Sequence, residues 1–197
     1  DEYELRVQYR NDSGVPQDAM ASMAIYTLDR EWKRPAWADA LPETGEQDLP
    51  RPSFAAGNDI RVRIKTNHGE MVAQLYGEYA PQHVAQVMRL TNAGCYNGME
   101  FQRVQKDYYL QTDSVENRPL GDEQRRLIRN LPLETHPGAS HLFGALSMCQ
   151  VSAGDVHAGR SSFLILLNAA SHLDHNYTVF GRIIEGHDVL REIGNTA

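Results

Sequence analysis

The side chains able to do chemistry are present, but few of them sit in a recognisable constellation. Eight histidines occur, among them His136, His141, His157, His172, His175 and His187, and none falls at a zinc-ligand spacing. Cys95 and Cys149 are the only cysteines, too few for a disulfide scaffold, and no metal-ligand spacing surrounds either. Cys149 reads as a small buried hydrophobe on a strand. Ser147, Ser161 and Ser162 are near histidines in sequence only, and no nucleophile-elbow pattern surrounds them. Protease or hydrolase chemistry is therefore not expected. Asn11-Asp12-Ser13 and Asn176-Tyr177-Thr178 fit the glycosylation acceptor pattern, which is frequent by chance. Sixteen of the nineteen basic residues are arginine; only Lys33, Lys65 and Lys106 are lysine. The net charge is −7, which argues against a phosphate-neutralising nucleic-acid surface.

The elements that must position these groups divide into two regions. Residues 1–58 read as an irregular N-terminal extension, and 59–197 as a compact domain. In the extension, Tyr3, Leu5, Val7 and Tyr9 alternate with polar residues, which predicts a strand. Asp18 is placed to cap a helix through Met20, Met23, Ala24, Ile25, Leu28 and Trp32. Pro35, Pro42, Pro50 and Pro52 punctuate an acidic linker. The chain opens at Asp1 rather than methionine, which favours a processed, exported or organellar protein over a cytoplasmic one. No apolar run is long enough to span a membrane.

In the second region, Ile60, Val62 and Ile64 alternate with basic residues. Asn67-His68-Gly69 makes a turn, and Met71, Ala73 and Leu75 alternate after it. Pro81 opens a helix whose apolar face is Val84, Val87, Met88 and Leu90 and which Gly94 ends. Further strands are predicted at 101–104, 108–111, 144–148, 162–167 and 178–184, with a closing helix at 187–193. Many short strands with two helices predict a mainly β fold, a closed antiparallel barrel capped by the helices.

Several of these stretches match a family. "IRVRIKTNHGEMVAQLYGEYAP", "VAQVMRLTNAGCYNGMEFQRV", "FGALSM" and "LDHNYTVFGRIIEGHDVLREI" stand in the order and at the spacing of the cyclophilin-type peptidyl-prolyl isomerases. The chain from about 60 to 194 resembles that family; the first 58 residues lie outside the resemblance. The resemblance implies a closed eight-stranded barrel with a helix at each end. It also calls for one more strand than 59–197 supplies: either the polypeptide continues, or another segment fills that slot, for which the Tyr3–Tyr9 run is the candidate.

The resemblance further implies an isomerase that needs no cofactor and acts on X–Pro segments of other proteins. Arg103, in Phe101-Gln102-Arg103-Val104, matches the catalytic arginine, and Gln111 the glutamine that holds a substrate carbonyl. Phe101, Tyr108, Tyr109, Phe163, Leu164 and Leu173 match pocket positions. Gln150, Ser162, His172 and Tyr177 complete the set implied to bind substrate.

This sequence departs from the family at several of these places. Thr112 and Asp113 replace two glycines, and Asp113 is placed to pair with Arg103 and blunt it. Ser162 and Leu164 replace a glutamine and a phenylalanine. A charged "GDEQRRLIRN" replaces a glycine-rich loop. The loop Val151–Gly159 is longer than usual and carries His157. These departures imply reduced activity and weak cyclosporin binding. They also leave a rival reading open, a catalytically weak scaffold fastened into an assembly by residues 1–58.

Overall fold

Alternating apolar residues around a tight turn build the first hairpin of the compact region. Ile60, Val62 and Ile64 on β2 (Ile60–Thr66) face Leu75, Ala73 and Met71 on β3 (Gly69–Leu75). All six side chains are buried. The computed structural model describes residues 22–27, 60–150 and 159–196.

After β3 comes α1 (Pro81–Asn92), with proline at its first position and Gly94 at φ +69° just beyond its end. Then follow β4 (Met99–Gln105), β5 (Tyr109–Thr112) and a short helix, α2 (Asp122–Leu127). The chain closes with β6 (Ala145–Gln150), β7 (Gly159–Leu166), β8 (Val179–Glu185) and α3 (His187–Gly194). Gly186, before α3, has φ +79°, and any side chain there would run into the Glu70 carbonyl.

These seven strands form a curled antiparallel sheet in the order β2-β3-β8-β6-β7-β5-β4. Its concave side holds the main core, to which α1 adds Val84, Val87, Met88 and Leu90 and α3 adds Leu190 and Ile193. The sheet is a half-barrel, open between β2 and β4. One further strand, β1 (Ser22–Thr27), runs in that opening. It pairs with β2 over five positions but meets β4 at only two, Ser22↔Glu100 and Met23↔Met99.

Four expectations are corrected. Residues 59–197 make an open, seven-stranded curled sheet and not a closed eight-stranded barrel, because only seven strands come from this segment. Residues 22–27 form a strand and not part of a helix from Asp18 to Trp32. Met23 and Ile25 share a face only at a period of two, and the edge of β2 that no strand of 60–185 covers selects the extended form. Among the described residues there are three helices rather than two, since "DEQRRL" within the charged loop forms α2. Cys149 is on a strand as expected, but it is only partly buried. The Tyr3–Tyr9 strand, the proline-rich linker and His157 lie outside the described residues.

Candidate active site on the outer face of the sheet

Strand alternation sorts the residues of β7 onto two faces. Phe163 and Ile165 enter the main core, whereas Leu164 and Leu166 belong to a second, outer cluster. That outer cluster also includes Tyr108, Tyr109, Leu173, Cys149 and Tyr76, all partly buried. Its strand residues make an apolar floor, and Leu173, from the segment 171–177, packs against it as a wall; floor and wall together are the cup.

Cross-strand register places the expected polar groups beside this cup. Arg103 on β4 pairs with Gln111 on β5, and Gln111 pairs with Leu164 on β7. Arg103, Gln111 and Leu164 thus stand in one row. At about 4.8 Å per strand the row spans about 10 Å, the scale of one X–Pro unit. The ladder is irregular between Phe101 and Arg103. This shift breaks the alternation, so Phe101 is buried while Arg103 two residues on is exposed.

The Arg103 guanidinium lies over the Tyr109 ring, 5.6 Å from its centroid. It makes no ion pair with a described residue. Asp113, expected to blunt it, is engaged elsewhere. Its Oδ1 accepts from the Ser114 amide at 2.7 Å and from Asn117 Nδ2 at 2.6 Å. That carboxylate organises the 3-10 turn Val115–Asn117, so the Arg103–Asp113 pairing is corrected.

The wall carries the remaining candidates. Tyr108 packs edge-on to Tyr109 with centroids 4.7 Å apart. Desolvation raises its phenol above the usual range, and its hydroxyl is hydrogen-bonded to His172 Nε2 at 2.7 Å. Leu173 lies against the cluster. Gln150 donates to the Asn176 carbonyl at 2.7 Å, and Tyr177 shares a small crevice with it. Burial pushes the Cys149 thiol up to about 11, so it stays protonated at neutral pH.

Two expected site residues are not presented to a ligand. Phe101 and Phe163 are 1% and 0% exposed and belong to the inner core. Phe163 packs edge-on to Tyr96 and Phe180. Ser162 is 7% exposed, the same as Leu164, but its hydroxyl is engaged and donates to the Thr112 carbonyl at 2.7 Å. The Thr112 hydroxyl in turn accepts from the Phe163 amide at 3.0 Å. The residues that replace a glycine and a glutamine therefore bind each other across the β5–β7 seam.

One arrangement escaped the sequence reading. Ser147 and His141, taken as neighbours in sequence only, are hydrogen-bonded, and Asp174 completes the chain. No local motif marks it, because the aspartate arrives from 33 residues away.

The comparisons agree with this fold. The family model described as cyclophilin type peptidyl-prolyl cis-trans isomerase matches residues 61–197. A peptidyl-prolyl cis-trans isomerase of Arabidopsis thaliana is 32% identical over 136 residues, covering 68% of this chain and 59% of the relative. A protein of Staphylococcus saprophyticus named as a putative isomerase of the same kind is 30% identical over 169 residues, covering 71% and 83%. A crystal structure of a cyclophilin-type isomerase from Cryptosporidium parvum superposes with a TM-score of 0.60 at 24% identity, covering 68% of this chain and 83% of that one. A second structure of that protein, determined in the presence of the dipeptide Ala-Pro, gives 0.58. With a family model spanning residues 61–197, the chain belongs to the cyclophilin-type peptidyl-prolyl cis-trans isomerases.

Proposed function

We propose that the protein accelerates cis–trans rotation about X–Pro bonds in extended segments of other proteins, at a rate below that of a typical family member. The barrier, about 18–20 kcal/mol, comes from amide resonance. No bond is broken, so neither a nucleophile nor a general acid is needed. A catalyst must favour the twisted amide over both planar forms. The observation that carries the reading is the row Arg103–Gln111–Leu164, with an exposed guanidinium at one end and an apolar floor at the other.

Each member has a task. Tyr109, Leu164 and Leu173 receive the proline ring and displace water that would stabilise the planar amide. Arg103 presents a permanent cation to the prolyl nitrogen as its lone pair localises. Gln111 holds the preceding backbone, since an amide both donates and accepts. The lower rate follows from Leu164, which gives the ring a smaller and less rigid floor than an aromatic would. It follows also from Ser162, whose hydroxyl is already engaged with Thr112.

The test is a protease-coupled isomerisation assay on a proline peptide, beside Arg103→Ala. The protein accelerates the reaction, and Arg103→Ala lowers kcat/KM by about 100-fold, the usual scale for removing a fixed electrostatic group. Folded protein that gives no acceleration overturns the reading. It would leave the barrel as a scaffold joined to an assembly through residues 1–58.

A further inference from the structure

Behind the cup lies a chain of three side chains, of which Ser147 and His141 are buried and Asp174 is partly exposed. His141 Nδ1 is 2.6 Å from Asp174 Oδ1, and the His141 backbone N–H donates to the same oxygen at 2.9 Å. On the other side of the ring, Nε2 is 2.8 Å from Ser147 Oγ. Ser147 is 0% and His141 1% exposed. An ionised carboxylate only accepts, so Nδ1 carries the proton. Desolvation holds His141 below the ordinary histidine range, so the ring is neutral and Nε2 accepts from the Ser147 hydroxyl. Serine, histidine and aspartate stand in the order of a hydrolase triad, but no substrate carbonyl can reach a hydroxyl buried under the wall.

What the chain joins is informative. Ser147 is the β6 partner of Leu164, the floor of the cup. Asp174 directly follows Leu173, part of its wall. Between Ala170 and Thr178 no residue pairs in the sheet, and the only regular element is the three-residue 3-10 turn Ser171–Leu173. His175 adopts φ +68°, a conformation costly for a residue with a side chain. The wall is therefore an irregular segment whose own backbone bonds, Leu173 to Ala170, Asp174 to Ser171, and Asn176 and Tyr177 to Leu173, run within it and do not join it to the sheet. It is tied back at His141 by two contacts, Ala170 N–H to the His141 carbonyl at 2.8 Å and Asp174 to the ring. The Tyr177 ring also stands edge-on to His141, with centroids 6.5 Å apart.

We propose that Ser147, His141 and Asp174 form a latch that positions the cup's wall against its floor, and so sets the cup's width for the proline ring. None of the three touches the substrate. They are positioning residues, and their catalytic consequence rests on the isomerase reading above. A side-chain latch suits this place because the ladder partners of β6 are already taken by β7 and β8.

The test uses the full chain with Asp174→Ala, Asp174→Asn and Ser147→Ala. Steady-state isomerisation is measured together with the leucine methyl spectrum by NMR. Asp174→Ala releases the wall. The Leu173 methyl signals shift and broaden, while those of Leu110 and Leu146 in the inner core stay in place. KM rises and kcat/KM falls by about tenfold, the scale of a misplaced positioning group. Asp174→Asn keeps an acceptor oxygen and restores most of the loss. Ser147→Ala frees the far end of the ring and gives an intermediate effect, which serves if Asp174→Ala does not fold. Unchanged Leu173 signals in a folded Asp174→Ala or Ser147→Ala overturn the latch, as does a His141 ring found by NMR to carry its proton on Nε2. Shifted Leu173 signals in a protein that never accelerates isomerisation support the latch and sink the isomerase reading.

Discussion

At the scale of single residues, the site depends on which face of a strand each side chain takes. The matches Phe101 and Phe163 were legible as residue types, but their orientation was not. Phe163 neighbours Leu164 in sequence, and strand alternation sends the two to opposite faces. Phe101 and Arg103 would share a face in a regular strand; the irregularity between them separates core from site. No residue type announces that shift. Leu164, the β7 residue that does line the cup, is where the floor has lost an aromatic ring. Restoring it by Leu164→Phe should raise cyclosporin affinity about tenfold, since an aromatic contact is worth about 0.5–1.5 kcal/mol beyond its area. Titration calorimetry of both proteins measures this. Equal affinities would mean that the floor does not limit binding and that the wall or the Thr112–Ser162 seam does.

At the scale of elements, α1 shows how a helix without its own cap is held. Its N-cap position, Ala80, offers no side-chain acceptor. Glu134, from the segment after α2, takes that role. Its carboxylate accepts from the Gln82 and His83 backbone N–H groups at 3.1 Å each and lies 2.8 Å from His83 Nδ1. A carboxylate there also meets the positive end of the helix dipole. Glu134→Ala leaves these donors, beside a His83 that is 2% exposed, without their acceptor. The expected cost is about 2 kcal/mol, read as a lower urea midpoint. A midpoint unchanged would show that water replaces the carboxylate. Proline at the helix start was legible in sequence; this cap was not, because it comes from about 50 residues away. The helix α2 was hidden for a different reason: "DEQRRL" has helical propensity but no apolar face to reveal a period.

The latch belongs to the same scale and gives stability a pH dependence with a definite sign. His141 is held below its ordinary value of 6.5 mainly by burial. As pH falls through that ordinary value, the unfolded chain takes up a proton that folded His141 refuses. The unfolded state then binds more protons, and stability falls. Asp174 is also held below its ordinary value, through its bonds to His141, so its contribution is lost only at still lower pH. Between pH 7.5 and 5, wild-type stability should therefore decline more steeply than that of His141→Gln. Urea midpoints across that range decide the matter, and parallel slopes would mean that His141 titrates alike in both states.

For the molecule as a whole, the order of strands in residues 60–185 was readable because each strand is short, alternating and bounded by a turn. Closure was not readable, because it depends on a partner from outside that segment. The half-barrel leaves one edge of β2 and one of β4 without a partner from the same region. An edge of unpaired backbone groups is a template for pairing with other chains. The strand β1 covers the β2 edge over five positions, Met23↔Thr66 through Thr27↔Val62, but reaches β4 at only two. Its contribution is thus mostly to β2, and the β4 side is where the sheet is weakest. A chain beginning at residue 59 exposes both edges. It should melt roughly 4–8 °C below the full chain, equivalent to about 2 kcal/mol for a protein of this size. It should also associate as concentration rises, which light scattering detects. Arg103 lies on β4, next to that seam, so the truncated chain should lose isomerase activity ahead of its melting transition. If it instead stays monomeric, melts with the full chain and keeps full activity, β1 is only an accessory to a half-barrel stable by itself. The core drawn from α1, α3 and seven strands would then suffice to hold the site.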